Sequence, residues 1–231
     1  QMGDQIDSLN RVEENDWEII EDIEMLKFTD LLDKIAKLKG GKVISIIGNH
    51  ECMNILGNYS YVSKKSIENN EKKRRELFKP QGSLSIMLSN RPIIIKIGSF
   101  LFCHAGLKIS HLRILQKYDK DIFYLNKLWK TFALTNKIDN IEDNEIFNKI
   151  ILDDDGILWT RNLDMGEELN MLLNSLKCNY MFIGHNVVDT IKFVNNNLWL
   201  TDTGISRAFG NKPYQYLDII NNIVSIKTLN N

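Results

Sequence analysis

The sequence predicts an α/β domain organised around a sheet, with its chemistry gathered at strand ends. Segments with helical apolar spacing interleave with short β-branched runs, which is the pattern of a sheet covered by helices. No Pro/Gly/Ser-rich linker and no repeat of about 20–50 residues divides the chain, so a single domain over 1–231 is the simplest parse. Three times an expected strand runs into a small, polar turn carrying a histidine: Gly48-Asn49-His50-Glu51, His104-Ala105-Gly106 and Gly184-His185-Asn186. Ligands of open α/β folds collect outside the carboxyl ends of strands, so these turns are expected to share one crevice.

In chain order, Ile19, Ile20, Ile23, Leu26, Leu31, Leu32, Ile35 and Leu38 recur at helical spacing over 16–39, and Gly40-Gly41 supplies the stop. Val43-Ile44-Ser45-Ile46-Ile47 has the length and composition of a buried strand and leads into Gly48. A polar helix is expected over 64–77, with its run Glu71-Lys72-Lys73-Arg74-Arg75-Glu76 on a solvated face. Strands over 92–97 and Phe100–Cys103 turn at Gly98-Ser99 and deliver His104. A helical, partly polar insert occupies 112–152. Ile157-Leu158-Trp159-Thr160-Arg161 then leads to an amphipathic helix over 165–176 and a strand at Tyr180–Ile183. The segments 191–194, Leu198–Leu200 and 214–228 are expected to close the fold as antiparallel strands.

Composition narrows the function classes. With 43% hydrophobic and 26% charged residues the chain is an ordinary globular protein rather than a disordered one. A net charge of −1 excludes a dominant polyanionic partner, so no nucleic-acid binding is expected. No apolar run approaches the ~20 residues that span a bilayer, and no signal-peptide pattern is present, so no membrane association is expected. Cys52, Cys103 and Cys178 form no CxxC pair, which favours a reducing, cytoplasmic location. Oligomeric state is left open.

Asp4, Asn49, His104 and His185 give a mixed oxygen and nitrogen set suited to divalent ions such as Mn²⁺, Fe²⁺ or Zn²⁺. One carboxylate can bridge two such ions. Two ions ~3.5–4 Å apart share a hydroxide, lower the pKa of its parent water and hold phosphoryl oxygens for in-line attack. That chemistry needs a proton donor for the leaving alkoxide and a cationic fork for the phosphate. His50 is the candidate donor, Arg161 the candidate fork, and Asp7 the carboxylate that holds His50 in its donating tautomer. His111, Asp153-Asp154-Asp155, Trp129, Trp159 and Trp199 are expected to be structural. Asp202 is left open between a turn residue and a partner of the site.

With these residues in place, the sequence resembles the metal-dependent phosphoprotein phosphatases, within the calcineurin-like metallophosphoesterases. Gly3-Asp4-Gln5-Ile6-Asp7 looks like the family's GDxxD segment, and Gly48-Asn49-His50-Glu51 matches its GNHE segment. Phe102 to Leu107 and Gly184-His185 look like its third and fourth blocks. The stretch Met53 to Val62, with Leu158-Trp159-Thr160-Arg161 and Asp202-Thr203-Gly204-Ile205-Ser206, is most similar to the Shewanella-like branch. The resemblance implies a four-layer α/β/β/α sandwich with two metal ions at the strand ends. Asp4 would bridge the ions, Asn49, His104 and His185 would complete the second ion's ligands, and His50 with Asp7 would protonate the leaving group. Arg161 would grip phosphate on a phosphoprotein or another phosphomonoester, attacked by a metal-bridging hydroxide.

Two departures stand out. The family's first block, a DxH segment, is not among these 231 residues. The expectation is truncation upstream of Gln1, with a one-metal or inactive relative as the alternative. Ser8 stands where the family carries the phosphate-binding arginine of GDxxDRG, and Arg11, three residues on, is the candidate substitute. The rival readings are a dinucleotide polyphosphate hydrolase on the same fold and a non-catalytic binding module.

Overall fold

The computed structural model describes residues 1–8, 10, 12, 14, 16–163, 166–210, 212 and 214–229, with the backbone alone at 207. Its centre is a five-stranded mixed sheet in the order β1-β2-β3-β5-β4, formed by Ile94–Ile97 (β1), Phe100–Cys103 (β2), Tyr180–Ile183 (β3), Lys192–Val194 (β4) and Leu198–Leu200 (β5). The three inner strands run parallel, and the two edge strands pair antiparallel with their neighbours. Parallel β2 and β3 lie side by side, so their carboxyl ends put His104 and His185 at adjacent positions.

Strand alternation buries both faces of this sheet. Leu101, Cys103, Met181, Ile183 and Leu198 point into the main core with the helices. Phe100, Phe182 and Trp199, the alternate residues, form a second cluster on the other face. Phe182 stacks between Phe102, at 4.6 Å between ring centroids, and Trp199, at 6.2 Å. That cluster is covered by Leu217, Ile219 and Val224 of a hairpin, Tyr214–Ile220 (β6) and Ile223–Leu229 (β7), which forms its own two-stranded sheet. Its turn residues Asn221 and Asn222 both have positive φ, as a two-residue hairpin connection requires. Phe182→Ala, at a side chain 1% exposed, is expected to cost about 3–5 kcal/mol in urea unfolding. A loss below about 1 kcal/mol would mean that the hairpin layer collapses freely into the gap.

Eight α-helices among the described residues cover the main core. They are Glu18–Leu38 (α1), Asn49–Leu56 (α2), Lys64–Phe78 (α3), Ser83–Ser89 (α4), Ile109–Lys117 (α5), Tyr124–Thr135 (α6), Ile141–Ile146 (α7) and Glu167–Ser175 (α8). A π-helical turn, Phe147–Leu152, continues α7. The helices of 109–152 place Leu115, Leu125, Trp129, Ile146 and Ile150 in the main core, so that segment helps build the fold's centre. The expected start of α8 at Met165 lies outside the described residues. No described helix is long and apolar enough to cross a membrane.

Two expectations differ from the structure, and α1 forms as expected but buries only part of its apolar spacing. Val43 to Ile47 is extended but joins no sheet: Gln1 pairs with it through Ile44 and Ile46 on one side, and Ile47 reaches only the Pro92 carbonyl on the other. Pro92 has no N–H to return that bond, and beyond it the Asn126 side chain accepts from the Ile94 N–H at 3.1 Å and donates to the Ile94 carbonyl at 2.9 Å, so the second ladder stops there. In α1, Ile19 and Leu26 are buried, whereas Ile20, Leu31, Ile35 and Leu38 are 49–85% exposed, because the helix carries two apolar stripes and only one meets the core. The charge run of α3 is not uniformly solvated: Arg74 is fully buried, on the inner face with Ser66 and Phe78.

Candidate functional site

The GNHE motif is the first turn of α2 rather than a free turn. This placement gives Glu51 a role that the sequence did not reveal. Its buried carboxylate accepts backbone N–H bonds from Asp4 at 2.9 Å, Gln5 at 2.6 Å and Gly48 at 2.7 Å, tying the 3–7 loop to the helix start. The loop, and the turn after β3, sit under backbone strain. Asp4, Asp7 and His185 hold φ values of 55°, 59° and 60°, a region that non-glycine residues visit rarely and that clusters at functional sites.

Loop and helix start approach so closely that a Cβ on Gly48 would overlap the Asp4 carboxylate and stand 2.5 Å from the Asp4 nitrogen. Gly48→Ala is therefore expected to displace Asp4. It should cost about 1–3 kcal/mol in urea unfolding, as overpacking does, and weaken Mn²⁺ binding in isothermal titration. Unchanged Mn²⁺ affinity would show that Asp4 is not needed where it stands.

Four atoms converge beside this contact. His104 Nε2 lies 3.2 Å from Asp4 Oδ2, 3.0 Å from Asn49 Oδ1 and 3.2 Å from His185 Nδ1, and His185 Nδ1 lies 3.0 Å from Asn49 Oδ1. The outer ring nitrogens face carbonyls: His104 Nδ1 faces Met2 O at 2.7 Å, and His185 Nε2 faces Trp159 O at 3.0 Å. A carbonyl only accepts, so in the neutral rings the outer nitrogens carry the hydrogens and the inner ones present lone pairs.

Two imidazole nitrogens, an amide oxygen and a carboxylate oxygen therefore face one another with no donor between them. Such a set is repulsive unless a cation or a proton occupies its middle. Titration reflects the same crowding. Burial lowers the His104 pKa, but the Asp4 carboxylate outweighs it and the net direction is up. His185 is pushed down to about 4 by burial and by the charges of His104 and Arg161. Burial pushes Asp4 up, and His104 and His50 hold it well below the usual carboxylate range. The donor types and their spacing fit a divalent transition-metal ion. Among the described residues, Asp4, His104 and His185 are the one group of three or more His, Cys, Asp or Glu side chains so arranged.

His50 points elsewhere from the same helical turn. Its Nδ1 lies 3.1 Å from Asp7 Oδ2, and its Nε2 lies 4.0 Å from Asp4 Oδ2, beside the cluster. The Tyr61 ring packs against it at 4.7 Å between centroids. Burial pushes the His50 pKa down, but the bond to Asp7 and the charges of Asp4, Asp7 and Glu51 reverse this and raise it to about 9. Arg161 donates from Nη1 to His185 O at 3.2 Å and Asn186 Oδ1 at 3.3 Å. It lines a cavity of about 270 Å³ with Tyr61, Asp154, Asp155, Trp159, Asn162 and His185. The structure thus brings together Asp4, Asp7, Asn49, His50, His104 and His185, with Arg161 on the wall beside His185. Arg11 lies outside the described residues.

Of the residues expected to be structural, His111, Asp155 and Trp129 make local packing contacts, while Asp154, Asp155 and Trp159 also line the cavity beside Arg161. His111 Nδ1 accepts from the Lys108 N–H at 3.2 Å, Asp155 pairs with Lys108 and accepts from Thr160, and Trp129 donates to Leu88 O at 3.0 Å. Asp202 is a turn residue, accepting from the Gly204 N–H at 2.8 Å. Cys52 and Cys103 are fully buried thiols that burial pushes up to about 12.

A cold-active protein-tyrosine phosphatase of a psychrophilic Shewanella species has the same fold. The two superpose with a TM-score of 0.71 at 20% identity, over 91% of this chain and 65% of that one. The five-stranded mixed sheet and its helices thus form a phosphatase-like α/β fold. An uncharacterised protein, R398, of Acanthamoeba polyphaga mimivirus is 30% identical over 81% of this chain and 84% of its own. Shewanella-like protein phosphatase 1 of Plasmodium berghei is 32% identical over 81% of this chain and 55% of its own. Shewanella-like protein phosphatase 2 of Arabidopsis thaliana is 44% identical over a shorter 21% of this chain. The chain belongs to the Shewanella-like protein phosphatase family. It spans about half the length of the Plasmodium relative. No protein-family model matches it.

Proposed function

We propose that the chain carries the catalytic centre of a metal-dependent phosphoprotein phosphatase on a calcineurin-like sandwich, hydrolysing phosphomonoesters of protein side chains. One observation carries this reading: four lone-pair donors converge on a point beside a histidine whose other nitrogen is bound to a buried carboxylate. Asp4, Asn49, His104 and His185 would hold Mn²⁺, Fe²⁺ or Zn²⁺, and Asp4 would also serve a second ion. When bound, the metal supplies Lewis-acid charge for the phosphoryl oxygens and acidifies the attacking water. Arg161 orients the phosphate from the cavity wall. His50 gives its Nε2 proton to the leaving oxygen while Asp7 holds Nδ1–H, which fixes the ring's direction.

The cysteines support this chemistry over a thiolate nucleophile. A nucleophilic cysteine needs a lowered pKa and access to the substrate, whereas Cys52 and Cys103 are buried and raised. All three cysteines are free, in keeping with a reducing, cytoplasmic location. The test is a parallel assay of the Mn²⁺-loaded protein on phosphopeptides and on diadenosine tetraphosphate, with EDTA as control. Phosphopeptide hydrolysis that EDTA abolishes is the expected result. Preference for the dinucleotide would move the substrate to small phosphoesters, and ion binding without hydrolysis of either would make this a binding module.

A further inference from the structure

Arg74 stands 67 positions from Asp7 in sequence, on the inner face of α3, and its side chain is fully buried against two carboxylates. Its guanidinium reaches Asp7 by two routes. Nη1 donates directly to Asp7 Oδ1 at 3.0 Å. Nη2 donates at 2.5 Å to Asp22 Oδ2, and the other oxygen of Asp22 accepts the backbone N–H of Asp7 at 3.0 Å. Side chain and strained backbone of Asp7 are thus held by one fork. Asn54 finishes the arrangement: Nη1 of Arg74 donates to its Oδ1 at 2.7 Å, and its Nδ2 donates to Asp7 Oδ2 at 2.9 Å, the oxygen that faces His50.

We infer that Arg74, with Asn54, is a positioning residue that aims the Asp7 carboxylate at His50 and so aims the His50 proton at the leaving group. The inference rests on the proton-donor reading above. Stability alone is a poor reason for this arrangement. A buried ion pair recovers little more than its desolvation, and a packed apolar residue is often as good or better. Here one cation serves two buried carboxylates, and Arg74 Nε has no hydrogen-bond partner among the described residues. Burial and the neighbouring Asp7 charge, opposed by Arg74, push the Asp22 pKa up, and asparagine is its near isostere. Planar, two-pronged recognition is what arginine offers and lysine does not.

The experiment compares wild type, Arg74→Lys and the double variant Arg74→Met/Asp22→Asn, which removes the guanidinium together with the Asp22 carboxylate and leaves Asp7 its bonds to His50 and Asn54. Turnover of Mn²⁺-loaded protein is measured on phenyl phosphate, whose leaving group needs a proton, and on p-nitrophenyl phosphate, whose leaving group does not. The kcat ratio of phenyl to p-nitrophenyl ester is expected to fall about 10–100-fold in the double variant, the size of effect that partners of a site histidine have, and by less in Arg74→Lys. An unchanged ratio, with both esters slowed alike, overturns the inference, since a structural role only lowers the active fraction. If the double variant fails to fold, Arg74→Lys decides by the same ratio. A second measurement needs no turnover: in Zn²⁺-loaded wild type the His50 Nδ1–H should give a hydrogen-bonded NMR signal that the variants lose. Should wild type cleave neither ester, the hydrolase reading falls, and this signal alone decides, its persistence in the variants overturning the positioning role.

Discussion

Replacing His104 with alanine is expected to abolish tight divalent-ion binding and with it nearly all turnover. His104 Nε2 is the hub of the donor cluster, within 3.2 Å of three other lone-pair atoms, and its outward nitrogen faces the Met2 carbonyl. Changing a group that merely supports a ligand costs ~10–100-fold in affinity or rate, so loss of the ligand itself should exceed that range. A linkage measurement reads the effect without any substrate. At a Mn²⁺ concentration about 100 times Kd, wild type should gain ~2.7 kcal/mol of unfolding free energy, and the variant nothing. Removing one of four mutually repelling acceptors relieves crowding, so the metal-free variant should lose less stability than burial of the ring alone suggests. Equal Mn²⁺ stabilisation of the two proteins would remove His104 from the ligand set.

The site was legible in sequence where its signal is local, and hidden where it depends on tertiary packing. His104 and His185 follow short apolar strands, and a parallel sheet brings neighbouring strand ends together whatever the intervening chain does. Burial of both sheet faces likewise follows from alternate residues such as Leu101 and Phe102 being apolar. The strand expected at 43–47 failed because a strand is defined by its partners, and beyond Pro92 the Ile94 N–H and carbonyl are bonded to Asn126 instead. Arg74 was hidden by charge: in a run of six ionisable residues, nothing but its spacing of four from Phe78 places it on the packed face. Glu51 had a readable signal, a carboxylate at the third helical position after Gly48 and six residues before the helix-ending Gly57. Its second task, gripping the Asp4 and Gln5 amides, needed the fold to bring residues 46 and 47 positions apart together.

The other large effect concerns the proton rather than the metal. His50→Asn is expected to lower kcat on an alkyl phosphate by ~10²–10⁴-fold, the contribution of general acid catalysis, while leaving Mn²⁺ affinity near wild type. The two properties separate because His50 gives the cluster only its backbone: its N–H donates to Asp4 Oδ1 at 3.1 Å, a bond that asparagine keeps. The side chain turns away, Nδ1 to Asp7 and Nε2 toward the cluster's edge, 4.0 Å from Asp4 Oδ2. An alkoxide is a poor leaving group without a proton, whereas p-nitrophenolate departs unaided, so the loss on p-nitrophenyl phosphate should be much smaller. Wild-type turnover of the alkyl ester by the variant would sink the proton-donor role. Equal losses on both esters, with weakened Mn²⁺ binding, would instead assign His50 to the support of Asp4. That outcome would require its side chain to act across the 4.0 Å gap, where it makes no hydrogen bond to the carboxylate, since its close partner is Asp7.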